Sequence, residues 1–214
     1  MSTTIDVYPM TDFMPLVDDT RRRTQELFQQ LLDEYGIHST IQVKAFYPRE
    51  STDKELKYVD LLTRWNIDMS LGFAYLINGD WRATSWPSVM AREVVDHYYV
   101  EDYEKLGPEY GYPASMLGKL IPVNDEFEVP LTPEDIKRVN SQDHYWFEYR
   151  NMGGPAISSI GYGFVAAALA ESTEGRISSV DCAFDTKHNG ETAEQFLAWW
   201  GDEQMAFYGR KSLG

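Results

Sequence analysis

Cysteine is almost absent: Cys182 is the one thiol in 214 residues, so an internal disulfide framework is excluded. Cations are scarce as well. Nineteen Lys and Arg stand against 34 Asp and Glu, leaving a formal net charge of −15. Phosphate binding depends on Lys and Arg displacing condensed counterions, so nucleic acid is a poor direct ligand, and anionic membrane surfaces are disfavoured for the same reason. Long apolar runs are missing. The longest small-and-apolar stretch, residues 161–170, is about half of the ~20 residues a membrane span needs. Residues 1–10 have neither a basic start nor an apolar run, and the expected setting is the reducing cytoplasm. Several catalytic signatures are also lacking: there is no Gly-x-x-x-x-Gly-Lys loop, Gly-x-Ser-x-Gly elbow or His-Glu-x-x-His helix. The four histidines, 38, 97, 144 and 188, have no spacing that suggests a triad.

What is present is a chain able to form a core. Hydrophobic residues make up 43% and aromatics 14%, too many for a solvated polymer, and one domain is the default for this length. Residues 13–35 repeat Leu16, Thr20, Leu27, Leu31 and Tyr35 on one face and stop at Gly36, which predicts a helix. Within it, Arg21, Arg22 and Arg23 lie among Asp18, Asp19, Glu26 and Asp33, as on a solvated face laced with ion pairs. Residues 40–47 alternate like a half-buried strand and end at Pro48, and residues 51–65 read as a second helix. Asn78-Gly79 between two β-favouring runs predicts a hairpin over 72–86, because both central residues of a type I′ turn need positive φ.

Pro87 suits the first turn of a helix running to about Leu106. Five prolines and three glycines in 107–133 mark a long loop or a subdomain boundary. Thr132-Pro133 opens a short helix, 144–149 is strand-like, 151–155 is a turn, 176–184 reads as a strand, and Thr192 to Gln195 opens a last helix. Adjacent strands joined by tight turns predict an α+β fold, an antiparallel sheet with helices packed on it.

Four patterns carry candidate chemistry. Glu93, His97 and Glu101 would drift along one face of the 87–106 helix, where an imidazole between carboxylates could serve as a base. The run Gly161-Tyr-Gly-Phe-Val-Ala166, with Asp181 twenty residues after Gly161, matches a dinucleotide phosphate loop. A hairpin through the 172–175 turn explains the same residues and is the preferred reading. Asp181, Asp185, Asn189, Gly190 and Glu191 suggest a calcium loop, but counting from Asp185 puts Lys187 and Phe196 where oxygen ligands belong, so a turn before the last helix is expected. Cys182, with acids nearby in a strand-like run, reads as a buried small residue.

No convergent catalytic set emerges and no cofactor is implied, whereas the sign of the charge is unambiguous. The expected function is therefore a non-catalytic, acidic, cytoplasmic binding protein that captures a basic protein partner. An inhibitor or immunity protein for a toxin such as a nuclease is the most economical version, with carboxylates imitating a phosphate surface. The expected contact residues are Asp96, Glu101, Asp102 and Glu104 at the end of the 87–106 helix, with Asp125, Glu126 and Glu128 in the loop. The alternatives are a small enzyme with a site near 107–133, and a dinucleotide binder using Gly161 and Gly163.

Overall fold

The computed structural model describes residues 2–52, 55–151 and 154–213. Its elements run β1 (Ser2–Tyr8), α1 (Val17–Glu34), β2 (Ile41–Phe46), β3 (Gly72–Ile77), β4 (Asp80–Ser85), β5 (Pro87–Ala91), α2 (His97–Leu106), α3 (Pro133–Asn140), β6 (His144–Asn151), α4 (Ala156–Thr173), β7 (Arg176–Ser178) and α5 (Ala193–Tyr208), with short 3₁₀ turns between them. The strands form two antiparallel sheets, ordered β5-β6-β1-β7 and β2-β3-β4, so the architecture is α+β as expected.

Local chemistry explains several boundaries. α1 closes in a Schellman arrangement, with Ile37 N donating to Leu32 O at 2.8 Å, Gly36 N donating to Asp33 O at 3.0 Å, and Gly36 at φ +64. Arg21 and Arg22 pair with Asp18 and Asp19, while Arg23 clamps Glu171 of α4 with two hydrogen bonds of 2.6 and 2.8 Å. α1 also closes the outer edge of β2. Gln25 and Gln29 accept the amides of Val43 and Ile41, and Arg21 donates to Val43 O. An edge served in this way is a poor template for aggregation. The hairpin forms at the expected place, with Asn78 at φ 52 and Gly79 at φ 89.

Both later caps are built as their sequences predict. Thr132 accepts the amide of Asp135, and Thr192 forms a full capping box with Gln195. Thr192→Ala is expected to lower the unfolding free energy by about 1 kcal/mol, the ordinary worth of such a cap. Urea melts of the two proteins would measure it, and an unchanged midpoint would show that α5 starts without the box.

Five expectations are corrected. Residues 55–65 form no helix: Val59 N donates to Ala45 O, Tyr47 N to Lys57 O, Thr63 N closes a turn on Asp60 O, and Leu16 bridges Arg64. The part of that expected helix at 53–54 lies outside the described residues, as do residues 152–153 of the expected turn. Main-chain pairing beside β2 and burial of Trp65, stacked on Phe73 with its N–H on Thr20, win over a helical pattern. Pro87 begins β5 and not a helix, the position a strand leaves open to a residue without an N–H. The 176–184 strand shrinks to Arg176–Ser178, and Cys182 stands exposed in the following loop at φ 62. β1, which no sequence signal marked, is a central strand paired on both sides.

The fifth correction is the largest. Residues 161–166 are neither a hairpin nor a phosphate loop, because they lie inside α4, 15 of whose 18 residues are buried. α4 is packed by α1, α5 and both sheets. A helix apolar all round has no amphipathic period to read. Its glycines make room for rings: a Cβ on Gly161 would land in the Tyr75 ring, and one on Gly163 in the Trp200 indole. The dinucleotide reading therefore fails, since no free glycine loop exists there to cradle pyrophosphate.

The two sheets meet at a corner. Residues 69–77 and 80–91 form one bent ribbon: β3 pairs with β4 below the bend, while Leu71 N donates to Pro87 O and Val89 N to Met69 O above it. β5 then joins β6. One main core spans both sheets, including Ile5, Val7, Tyr75, Trp146, Phe164 and Trp200. No helix among the described residues is long and apolar enough to cross a membrane.

Candidate functional site

The expected contact acids fall into two groups on different supports. The first is an arm. Residues 93–95 and 118–121 pair as a short ribbon, with Val95 N donating to Lys119 O, Gly118 N to Val95 O and Ile121 N to Glu93 O. At its base, the buried guanidinium of Arg92 donates to the carbonyls of Val139, Gln142 and Ile121. Desolvation lowers its pKa, yet the carbonyls replace the lost water. The ribbon carries α2, whose N-cap is Asp96: its Oδ1 accepts Tyr98 N at 2.8 Å and Tyr99 N at 3.2 Å.

α2 buries none of its residues. Gly111 lies against the backbone of Tyr99, too close for a Cβ, and the Tyr99 and Tyr112 rings meet edge to face. The apolar side chains around it are left in solvent: Tyr98 is 71% exposed, and Val94, Leu106, Tyr110 and Leu117 are exposed as well. Glu101, Glu104 and Glu109 are exposed with them, and Asp102 is half-buried. Glu101 pairs with Lys105 at 2.7 Å, which lowers the carboxyl pKa and raises that of the ammonium. Between residues 93 and 118, six acids face one cation, Lys105.

The proposed Glu93–His97–Glu101 face is not assembled. Glu93 precedes the helix and accepts the hydroxyl of Tyr99 at 2.9 Å, leaving only His97 and Glu101 on α2.

The second group runs across the face of the β5-β6-β1-β7 sheet opposite α4. Tyr8 stacks on Tyr145 and meets Phe127 edge to face, drawing the 123–128 stretch down onto the sheet. Asp125 and Glu128 point to solvent, and the amides of Glu128 and Val129 both donate to Asn189 O. Glu126 turns inward, with Oε2 buried and without a hydrogen-bond partner. Its pKa is raised by burial and then by Asp125. Buried Asp6 is pushed up to about 7 by desolvation first, then by Glu126 and Asp181. Asp181 is fixed by accepting Thr4 N at 2.6 Å.

Sequence reasoning missed Asp6 and Glu148. Glu148 lies on the α4 side of β6 and is 3% exposed. Its Oε1 accepts Trp86 N at 3.1 Å, and Oε2 is buried without a partner. Burial raises its pKa to about 8, against smaller opposing effects of Ser85 and the Trp86 amide. Alternation marks both residues in the sequence, Glu148 in step with Trp146, and Asp6 out of step with Ile5 and Val7. No group of three or more His, Cys, Asp or Glu among the described residues is arranged to hold a metal ion. No protein-family model, curated protein or solved structure matches this chain.

Proposed function

We propose that the protein is a non-catalytic, cytoplasmic binder of a basic protein, acting as an inhibitor or immunity protein toward a toxin such as a nuclease with a positive groove. The observation that carries this reading is α2, a ten-residue helix with no fully buried residue that displays Tyr98 and Leu106 beside Glu101 and Glu104. Exposed aromatic and aliphatic anchors suit the centre of an interface, and the surrounding carboxylates steer a cationic partner and set its register. Asp102, Asp125 and Glu128 add to the field. Asp96 contributes charge while its oxygen holds the helix, and Glu126 contributes least because it faces inward.

The test is capture of the partner from the native host, followed by association kinetics across a salt series. Glu101→Lys, Asp102→Lys and Glu104→Lys together are expected to slow association at least tenfold at low salt, with the gap closing as salt rises. Tyr98→Ala is expected to act on dissociation, at a cost of about 2 kcal/mol. Binding indifferent both to salt and to the triple reversal would refute the reading.

A further inference from the structure

At the corner between the sheets, a cleft of about 240 Å³ opens beside Glu148, between the end of β4 and the start of α4. Its walls include Ser85, Trp86, Tyr149, Ser158 and Tyr162, and among the described residues no Lys, Arg or His lines it. Its side-chain polar groups are the Glu148 carboxyl and the hydroxyls of Thr84, Ser85, Tyr149, Ser158 and Tyr162. Glu148 Oε2 has no partner, Ser158 Oγ gives its hydrogen to Pro155 O at 2.8 Å, and Tyr162 gives its own to Thr3 O at 3.2 Å. Trp86 and Tyr149, both in the lining, are 43% and 54% exposed, and the Trp86 ring meets Phe46 edge to face. A cleft that ends on a desolvated carboxyl, with aromatic residues in its lining, is complementary to a donor-rich cation.

We propose that this cleft binds a primary alkylammonium group, with the ammonium hydrogen-bonded to Glu148 Oε2 and its alkyl stem against Trp86. The positive end of α4 opposes a cation there by under about 1 kcal/mol, less than a charge-assisted hydrogen bond in a desolvated site contributes. The ammonium could belong to a free small amine or to a lysine side chain. This site is separate from the α2 arm and does not depend on the partner proposed above.

Glu148 is mostly neutral at pH 7, so taking up the cation requires it to ionise and release one proton. Among the described residues, the titratable groups that face it are the phenols of Tyr75 on β3 and Tyr162 on α4. Calorimetry with 1-aminobutane, in two buffers of different ionisation enthalpy, reads affinity and proton release together. The expected result is saturable binding, close to one proton released at pH 7, and 1-butanol at least tenfold weaker. Glu148→Gln should weaken 1-aminobutane at least tenfold. Trp86→Ala, at a half-exposed ring, should weaken it severalfold with the melting temperature kept. Tighter binding of Nα-acetyl-lysine amide than of 1-aminobutane assigns the site to a lysine side chain, and the reverse assigns it to a free amine. Equal binding of butanol and butylammonium, no proton release, or an unaffected Glu148→Gln protein overturns the proposal.

Discussion

Glu148→Gln is expected to make the protein more stable at pH 9, by on the order of 4 kcal/mol, while changing little near pH 4.5. The folded-state pKa of about 8 lies above the ordinary glutamate value of 4.5. Between those values the folded protein holds a proton that the unfolded chain has released. Stability therefore falls as pH rises through that window, by up to about 1.4 kcal/mol per unit. Above pH 8 folding carries an ionised, desolvated carboxylate, or the work of keeping it neutral. Glutamine has the same shape, can still accept Trp86 N–H and never ionises. Denaturant unfolding of both proteins at half-unit steps from pH 5 to 9 would show curves that meet at the acid end and separate toward the alkaline end. Parallel curves would mean that Glu148 titrates normally and that the corner is open to water.

The same reasoning applies to Asp6, whose window runs from 3.8 to about 7. There the cost is shared with Glu126 and Asp181, so Asp6→Asn relieves repulsion as well as desolvation. Glu148 has a structural reason to remain. Where residues 80–91 leave β3 and join β6, Trp86 has no strand partner for its N–H and Pro87 has no N–H at all. Pro87 stands opposite Glu148 in the register, which puts a carboxyl oxygen where the ladder is broken.

Elements with a local cause were legible in the sequence. Asn78-Gly79 fixes the hairpin through backbone sterics, Thr132 and Thr192 fix helix starts through cap hydrogen bonds, and Leu27 with Leu31 fixes the buried side of α1. Elements decided by distant partners were not. Residues 57–59 are held beside β2 by Ala45 and Tyr47, and β5 is held by Trp146 and Met69. The acids of the arm could be read as charge. That α2 has no fully buried residue could not, because Val94, Tyr98 and Tyr99 look like the inward side of a helix. Glu148 was hidden by strand periodicity, which marks position 148 as facing inward and cannot tell a buried acid from an error in the pattern.

Gly163→Ala is expected to destabilise the protein by about 2 kcal/mol or more, although helix propensity alone favours the change by about 1 kcal/mol. Sterics decide the sign. The new methyl would overlap the indole of Trp200, which is fully buried, donates Nε1–H to Ile160 O at 3.2 Å, and is hemmed in by Phe184, Phe196 and Trp199. It has nowhere to retreat without moving α5 off α4. Gly201→Ala in α5 is the control, because its Cβ would meet only the tip of the Leu31 side chain, which can rotate away, so a result between neutral and slightly stabilising is expected. Pairing Gly163→Ala with Trp200→Phe should recover part of the loss, giving a coupling energy well above the ~0.5 kcal/mol expected of independent sites. Were Gly163 a phosphate-loop glycine, alanine would remove nucleotide affinity and leave the unfolding midpoint alone. A lowered midpoint relieved by trimming Trp200 instead identifies the glycine as the space in which a buried core indole is packed.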